Sequence, residues 1–324
     1  MPRWPKSLDE MEEKVTSSED PHLSPLRLGV SGSSFFHAMP PDLLKIAAAG
    51  GKYDSEQNRR MADFMRCMME ALKSSQVRSL ECYHMPAWEP EPIIEAILGS
   101  LDEGFDLEIW SVHAPYGAQV EPSLPDIKIR KAAVDACAIT IEMMKSLGAR
   151  VMVAHPGANV SAPVDRCERL KLSAQTLTEI ADMADAEGIA VAVEPMPKRE
   201  VGNTIEELIW IIENINRPNV GACLDTNHLF PASSLPGAIK KLEDRLISVH
   251  ISDHDGGGER HWLPFEGVIN WTSVIKGLQE IGYSGPLINE VHGSCFGTCR
   301  ETVEAIESSY ARIKEIIQDT GIKA

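Results

Sequence analysis

The sequence predicts a single α/β domain folded as a (β/α)8 barrel, also called a TIM barrel. Short apolar runs of strand length alternate with longer amphipathic segments of helical periodicity, and this alternation is typical of a parallel sheet. Eight such strands can be counted, and eight is the number that closes a barrel of this kind. Glycines such as Gly148 and Gly188 lie where a helix gives way to a strand, a position that favours positive φ.

The predicted elements run through the chain without an interrupting linker. The strands are predicted at Leu26–Ser31, Val77–Glu81, Leu107–His113, Arg150–His155, Ile189–Glu194, Val220–Asp225, Leu246–Ile251 and Pro286–Glu290. Helices are predicted at Ile127–Leu147, Arg166–Ala186, Thr204–Ile215, Pro236–Leu242, Trp271–Ile281 and Glu301–Ile317. The predicted organisation is therefore an N-terminal arm, residues 1–24, followed by one barrel domain, residues 25–324.

Composition narrows the classes of function. The formal net charge is -17, whereas a nonspecific nucleic-acid binder usually carries a basic surplus, so a nucleic-acid partner is not expected. The seven cysteines are scattered without a CxxC pair, which is typical of reduced thiols and predicts a cytoplasmic location. No apolar run approaches membrane length, and the polar start lacks the apolar core of a secretory signal.

Strand alternation predicts which residues face the barrel interior. In the fifth strand Ala190, Ala192 and Glu194 share one face, and in the seventh Ser248 and His250 share one face. Small residues are thus followed by a polar residue at the carboxyl end of the strand. This pattern indicates an interior that rises to a functional rim.

Ligand-type residues stand at the ends of seven consecutive strands. They are Glu81, His113, His155, Glu194, Asp225, His250 and Glu290, and three more follow in loops: His228, Glu259 and His261. One histidine at a strand end is more often structural than a ligand. The joint pattern differs, because crowded carboxylates repel one another unless a cation neutralises them. We therefore expect a divalent metal ion (Mn, Co, Mg or Zn), since mixed carboxylate and imidazole ligands suit transition metals better than calcium.

Several motifs resemble the xylose-isomerase-like barrel superfamily. They are VHAPYG, VAHPG, VEPMP, LDTNH, VHISD, RHWLPFEGVINW and IGYSGPLINEV, and the resemblance extends from about Leu26 to Ile317. That superfamily joins sugar isomerases and epimerases to repair enzymes of the endonuclease IV type. The motifs are specific for the superfamily and much less so for one reaction within it.

The resemblance to ketose 3-epimerases implies one metal ion held by four residues and two of them as acid and base. The implied ligands are Glu194, Asp225, His250 and Glu290, and the two glutamates move the proton. Residues implied or expected to contact the substrate are Glu81, His113, His155, Glu200, His228, Arg260 and His261. For Glu81, a place beneath the pocket beside Arg78 is the alternative to a place on its wall.

The resemblance to endonuclease IV implies a cluster of three zinc ions instead. The additional ligands would be His113, His155, His228, Glu259 and His261, with Glu259 departing from the aspartate of that pattern. Tyr116 matches a residue that enters the DNA minor groove, but its neighbour Gly117 offers no apolar wedge.

Three hypotheses follow. The first is a metal-dependent isomerase or epimerase of a sugar or sugar phosphate, acting through an enediolate. The second is an endonuclease of the multi-zinc type, and the third is a barrel that binds a sugar without converting it. The methionine-rich stretch Met61–Met69 predicts core packing or the interface of a homo-oligomer, and the glycine-rich loop Asp253–Gly267 is expected to cover the substrate.

Overall fold

A computed structural model describes residues 26–101, 105–158, 165–292 and 297–319. The predicted N-terminal arm, residues 1–24, lies outside the described residues. Within them, eight parallel strands form one closed barrel in chain order, and β1 pairs with both β2 and β8. The predicted (β/α)8 barrel is confirmed.

All eight predicted strands are present, most of them slightly shorter than expected. They are β1 Leu28–Ser31, β2 Ser79–Tyr83, β3 Glu108–His113, β4 Val151–Ala154, β5 Ala190–Val193, β6 Val220–Asp225, β7 Leu246–Ile251 and β8 Leu287–Asn289. The main difference is in β2, which ends two residues later than predicted, at Tyr83. Glu81 therefore lies deeper in the barrel than a residue at the strand end.

Helices surround the barrel. In the described residues they are α1 Pro41–Ala48, α2 Ser55–Lys73, α3 Pro90–Leu98, α4 Ile127–Leu147, α5 Arg166–Asp185, α6 Ile205–Ile215, α7 Leu235–Leu242, α8 Trp271–Glu280 and α9 Cys299–Asp319. The six predicted helices are among them. The other three lie outside the predicted ranges. They are α2, which contains the methionine-rich stretch Met61–Met69, and the short α1 and α3, each of which begins with the first-turn proline that favours a helix start.

Two apolar layers stabilise this arrangement. The larger lies between strands and helices and includes Met61, Met65, Met68 and Met69 of α2, so the methionine-rich stretch is core. A smaller cluster inside the barrel contains Val151, Val153, Ala190, Ala192 and Cys223. Within the described residues, no helix is both long and apolar enough to cross a lipid bilayer.

Strand register sets the height of the polar side chains. Asp225 of β6 is paired directly with His250 of β7, so their side chains lie at one level of the barrel. On the next pair, Ile251 is opposite Asn289, which puts Glu290 just above the end of β8. The carboxyl ends of the strands therefore bring these residues together at the barrel face where active sites of this fold lie.

Candidate metal centre

Four buried side chains converge at the centre of the barrel mouth. We call them the central cluster: Glu194, Asp225, His250 and Glu290. One ligand-type atom from each lies within 4.8 Å of those from the other three. Nδ1 of His250 is 3.3 Å from Oε1 of Glu194 and 3.2 Å from Oε2 of Glu290. Residues from four consecutive strand ends therefore surround one point.

The donor set of the central cluster fits a divalent cation. Oδ2 of Asp225 is buried and has no hydrogen-bond partner, although a buried charged group normally requires one. Three carboxylates and one imidazole meet there, and a cation between them would neutralise their repulsion. The unpartnered oxygen points to a ligand that completes the site.

Burial and neighbouring charges shift the pKa values of the three carboxylates in this cluster. Burial raises the pKa of Asp225 to about 7, with the charges of Glu194 and Glu290 adding to the effect. Burial also opposes ionisation of Glu194, but His250 and the hydrogen-bonded histidines outweigh it and hold its pKa well below the usual value. The pKa of Glu290 is likewise held low, because His250 overcomes the cost of burial. Both glutamates are therefore ionised and able to accept a proton.

A second group, His113, His155 and Glu194, adjoins the central cluster. The Nε2 atoms of the two histidines lie 3.2 and 3.1 Å from Oε2 of Glu194. Nδ1 of His113 lies 2.8 Å from the carbonyl oxygen of Ala114, which directs Nε2 toward the carboxylate. Glu194 is consequently shared, since its Oε1 faces His250 and its Oε2 faces these histidines.

A third group, the outer cluster, consists of His228, Glu259 and His261. Oε1 of Glu259 lies 2.7 Å from Nε2 of His261 and 3.5 Å from Nε2 of His228. Burial lowers the pKa of both histidines, but neighbouring carboxylates outweigh it and raise the values to about 10 for His228 and about 9 for His261. In the absence of a metal ion, this cluster is a set of mutually satisfied ion pairs.

The other predicted site residues occupy different places. Glu200 lines the cavity above the central cluster. Glu81 lies below that cluster, fully buried and next to His250, so it is not on the cavity wall. The guanidinium of Arg260 is turned toward Asp255, with Nε 2.9 Å from Oδ2. In this conformation Arg260 does not line the cavity.

Three cavity residues were missed by the sequence analysis. Tyr83 donates from its hydroxyl to Oε1 of Glu290 at 2.6 Å, and Ser33 donates to the same oxygen at 3.2 Å. His292 packs against His261 with ring centroids 4.3 Å apart. Tyr83 was hidden because β2 was predicted to end at Glu81, whereas His292 could have been noticed from its place two residues after Glu290.

The cavity at the barrel mouth has a volume of about 290 Å³. Its floor is formed by carboxylates and histidines of the three clusters, and its wall includes Tyr116 and Met196. Ordered acceptors and donors at the floor with an apolar wall are typical of sites for small polar molecules. The arrangement can hold a cation at its floor and present two ionised glutamates to a molecule bound above it.

Fold and site together define a (β/α)8-barrel protein with a carboxylate–histidine centre at the C-terminal face of the barrel. The model of the xylose isomerase-like TIM barrel family matches residues 69–316. The chain therefore belongs to this family.

Curated relatives come from more than one functional group. An uncharacterised protein of Methanocaldococcus jannaschii is 30% identical over 237 residues, covering 67% of this chain and 78% of that protein. The inosose isomerase of Bacillus subtilis is 32% identical over 154 residues, 44% of this chain and 54% of the isomerase. A probable endonuclease 4 of Mycoplasmopsis pulmonis is 30% identical over 148 residues, 44% of this chain and 50% of that protein. The matches thus span about half the length of the isomerase and the endonuclease.

Solved structures show the same fold over nearly the whole chain. A D-tagatose 3-epimerase-like protein superimposes with a TM-score of 0.68 at 24% identity, covering 91% of this chain and 99% of that one. The IolI protein with a bound zinc atom has a TM-score of 0.67 at 18% identity, covering 89% of this chain and 97% of that one. At these levels of sequence identity, the similarity to the two structures shows a shared fold.

Proposed function

We propose that this protein is a metal-dependent isomerase or epimerase that acts on a sugar through an enediolate. The observation that carries the proposal is the central cluster, in which two ionised glutamates face each other across His250 and the unpartnered Asp225 oxygen. The names of the inosose isomerase and of the epimerase-like structure also favour it.

The reaction requires removal of a proton from a carbon beside a carbonyl and its return at another face or carbon. Glu194 and Glu290 are suited to these two roles because each is a buried carboxylate whose position is fixed by hydrogen bonds. Hydroxyl groups of Tyr83 and Ser33 fix one oxygen of Glu290, while histidines fix Glu194. A divalent ion (Mn, Co, Mg or Zn) bound by the central cluster would supply electrostatic stabilisation to the developing enediolate.

Binding of the sugar is assigned to the polar side chains above the cluster. His155, His228 and His261 line the cavity together with Glu200 and are placed to contact sugar hydroxyls. His113 is buried with both ring nitrogens engaged, by Ala114 and Glu194, so we assign it to positioning Glu194. Arg260 would join the cavity-lining residues only after leaving Asp255, because its guanidinium is now paired there. Closing of the glycine-rich loop over the cavity would exclude water from the enediolate.

Exchange of solvent deuterium tests this function directly. Ketoses and their phosphates are incubated in deuterated water with protein loaded with Mn, Co, Mg or Zn, and the products are followed by NMR. An enediolate mechanism predicts deuterium at the carbon beside the carbonyl, and both Glu194→Gln and Glu290→Gln should abolish the exchange. Exchange that persists in both variants, or is absent from every sugar, contradicts the proposal.

A second candidate, hydrolysis of a phosphodiester, is favoured by one specific observation. The three groups of ligand-type residues lie side by side and the first two share Glu194, as a multi-metal centre requires. The relative named probable endonuclease 4 points the same way. A duplex with one abasic site is the test: nicking that is lost in Glu290→Gln, without deuterium exchange in any sugar, would establish this reaction instead.

A further inference from the structure

A second cavity opens beside the one above the central cluster. Its volume is about 500 Å³, compared with about 290 Å³ for the first. The two cavities share wall residues: Phe36, Tyr83, Pro115, Tyr116, Gly117 and Val120. The two cavities are therefore adjacent across these residues, and we call the second one the side groove.

The walls of the side groove are mainly apolar. Leu44 and Ala47 of α1 form one side, and Met85 and Ala87 from the loop after β2 form another. Tyr116 stands at the junction with 56% of its surface exposed, and its ring lies 4.7 Å from that of His155. The groove therefore offers apolar and aromatic surface to whatever part of a ligand lies beyond the cluster.

The groove wall offers few donors to a phosphate. Among the described lining residues, Lys52 is the one with a cationic side chain, and its ammonium donates to the carbonyl of Pro86. The backbone amides of Ala49, Gly50 and Gly51 donate to carbonyls at the end of α1, at 2.9 to 3.0 Å. These amides consequently do not form an anion-binding nest.

Two positive side chains near the first cavity are paired with carboxylates. Arg169 pairs with Glu121 at 3.0 Å, and Arg260 pairs with Asp255 at 2.9 Å. The undescribed residues 159–164 and 293–296 contain no lysine or arginine in the sequence. The described surroundings thus favour a neutral molecule over a phosphate ester.

We propose that the side groove binds a second, uncharged sugar ring, so that the substrate is a glycosylated ketose. This inference rests on the proposed isomerase function and names its substrate class. Enediolate chemistry needs a free carbonyl, so the second ring must be attached through a hydroxyl remote from that carbonyl. The reacting end then lies on the central cluster, and the second ring lies against Tyr116 and the apolar wall.

Three ketoses with different groups at the end remote from the carbonyl test which kind of group the side groove binds. They are D-fructose, its 6-O-α-D-glucopyranosyl derivative and D-fructose 6-phosphate, which differ only at the end remote from the carbonyl. Deuterium exchange at C3 is measured for each with metal-loaded protein. We expect kcat/KM for the disaccharide to exceed that for fructose by about tenfold, which corresponds to about 1.4 kcal/mol of additional binding. A preference for the phosphate, or equal values for all three probes, overturns the proposal.

A variant that fills the groove provides a sharper comparison. Ala118 is an exposed residue of the groove wall, and Ala118→Trp places an indole there. The ratio of kcat/KM for the disaccharide to that for fructose should fall to about one. The matched control is Ala311→Trp on the exposed surface of α9, which should leave the ratio at its wild-type value.

Calorimetry separates failure of the groove from failure of the proposed reaction. If no sugar exchanges deuterium but the disaccharide binds more tightly than fructose, and Ala118→Trp removes the difference, then the groove is correct and the isomerase function is wrong. If the disaccharide and fructose bind equally to wild-type protein, the groove proposal is overturned whatever the reaction.

Discussion

Oε2 of Glu81 lies 3.0 Å from Nε2 of His250, and both side chains are completely buried. The hydroxyl of Ser111 donates to the same carboxylate oxygen at 2.8 Å. On the opposite side of the imidazole, Nδ1 faces Glu194 and Glu290 of the central cluster. Glu81 therefore determines which nitrogen His250 presents to a cation, as carboxylates behind metal-binding histidines commonly do.

Removing the charge of Glu81 should weaken metal binding without removing a ligand. We predict that Glu81→Gln lowers the affinity for Mn by about 10- to 100-fold, because the imidazole loses the charged acceptor that polarises it and holds its tautomer. Titration calorimetry measures the change. Glu206→Gln, at an exposed ion pair with Lys241, is the matched control and should bind Mn as the wild type does. An unchanged affinity in Glu81→Gln would refute the positioning role.

Loss of the Asp225 carboxylate should weaken metal binding more than the Glu81→Gln substitution does. Its Oδ2 is buried and accepts no hydrogen bond, with Nδ1 of His228 3.5 Å away, so Asp225→Asn replaces an expected ligand by an amide of the same shape. We predict that the variant folds but retains no tightly bound ion after dialysis, as counted by elemental mass spectrometry. Asp182→Asn, on the surface beside Arg217, serves as the control. Wild-type metal content in Asp225→Asn would show that the ion binds elsewhere.

The loops after β3 and β4 are joined by a buried ion pair. Arg169 of α5 lies 3.0 Å from Oε1 of Glu121, whose other oxygen accepts from the backbone amide of Ala158. Breaking a buried pair leaves one uncompensated charge, at a cost of about 3–5 kcal/mol. We predict a destabilisation of that size for Arg169→Met, measured by urea unfolding. Arg59→Met, at an exposed pair with Glu56, should cost no more than about 1 kcal/mol.

A double variant distinguishes the ion pair from simple packing of the arginine. Glu121→Gln combined with Arg169→Met removes the uncompensated carboxylate. The double variant should therefore lose less free energy of unfolding than the sum of the losses in the two single variants. If the losses in the free energy of unfolding are additive, Arg169 stabilises the protein by packing alone.

Burial of His84 should make stability depend on pH. Its side chain is buried with Nδ1 2.8 Å from Thr140, and burial lowers its pKa from 6.5 to about 4, with Lys52 adding to the effect. Between these values the unfolded chain binds more protons than the folded protein, so stability falls as the pH falls from about 6.5 to about 4. The loss is at most about 3 kcal/mol.

His84→Gln should reduce this dependence, since glutamine can still hydrogen bond to Thr140 but does not titrate. The free energy of unfolding is measured from pH 7 to pH 4 in both proteins. If the free energy of unfolding falls with pH as steeply in His84→Gln as in the wild type, other groups cause the acid sensitivity.

The sequence was sufficient for features that depend on local pattern. Alternation and apolar runs predicted all eight strands, and strand ends then identified the residues of the central cluster. The error at β2 has a local cause, because the register between β2 and β3 shifts between Leu80 and Glu81. A bulge of this kind is decided by pairing with a neighbouring strand and leaves no clear mark in the β2 sequence.

Contacts between distant residues could not be predicted in the same way. Tyr83 and Glu290 are 207 positions apart, and their hydrogen bond follows from closure of the barrel between β1, β2 and β8. The place of Arg260 also depended on a partner, because the nearby Asp255 competes for its guanidinium. Residue type and spacing predict which groups reach the barrel mouth, whereas competing partners decide where each side chain points.

The outer cluster differs from the central cluster in that its carboxylate, Glu259, is paired with histidines without a metal ion. Glu259 is hydrogen bonded to His261, and its carboxylate is 42% exposed, so water can also stabilise it. Neighbouring carboxylates raise the pKa values of His228 and His261, as they also raise that of His250, so these shifts do not distinguish the two clusters. We expect one metal ion, in the central cluster, because Glu259 of the outer cluster already has a hydrogen-bond partner whereas the buried Oδ2 of Asp225 accepts no hydrogen bond.

His228→Ala separates a single-metal isomerase from a multi-metal hydrolase. We predict that the variant keeps the metal content of wild-type protein prepared in parallel, because Glu194, Asp225 and Glu290 are unchanged. Turnover of the sugar should fall by about 10- to 100-fold, as it does when a residue outside the metal ligands is removed. Metal content is counted by elemental mass spectrometry, and turnover is measured by deuterium exchange. A variant that loses an ion together with cleavage of an abasic-site duplex would show that the outer cluster binds metal and that the protein is a hydrolase.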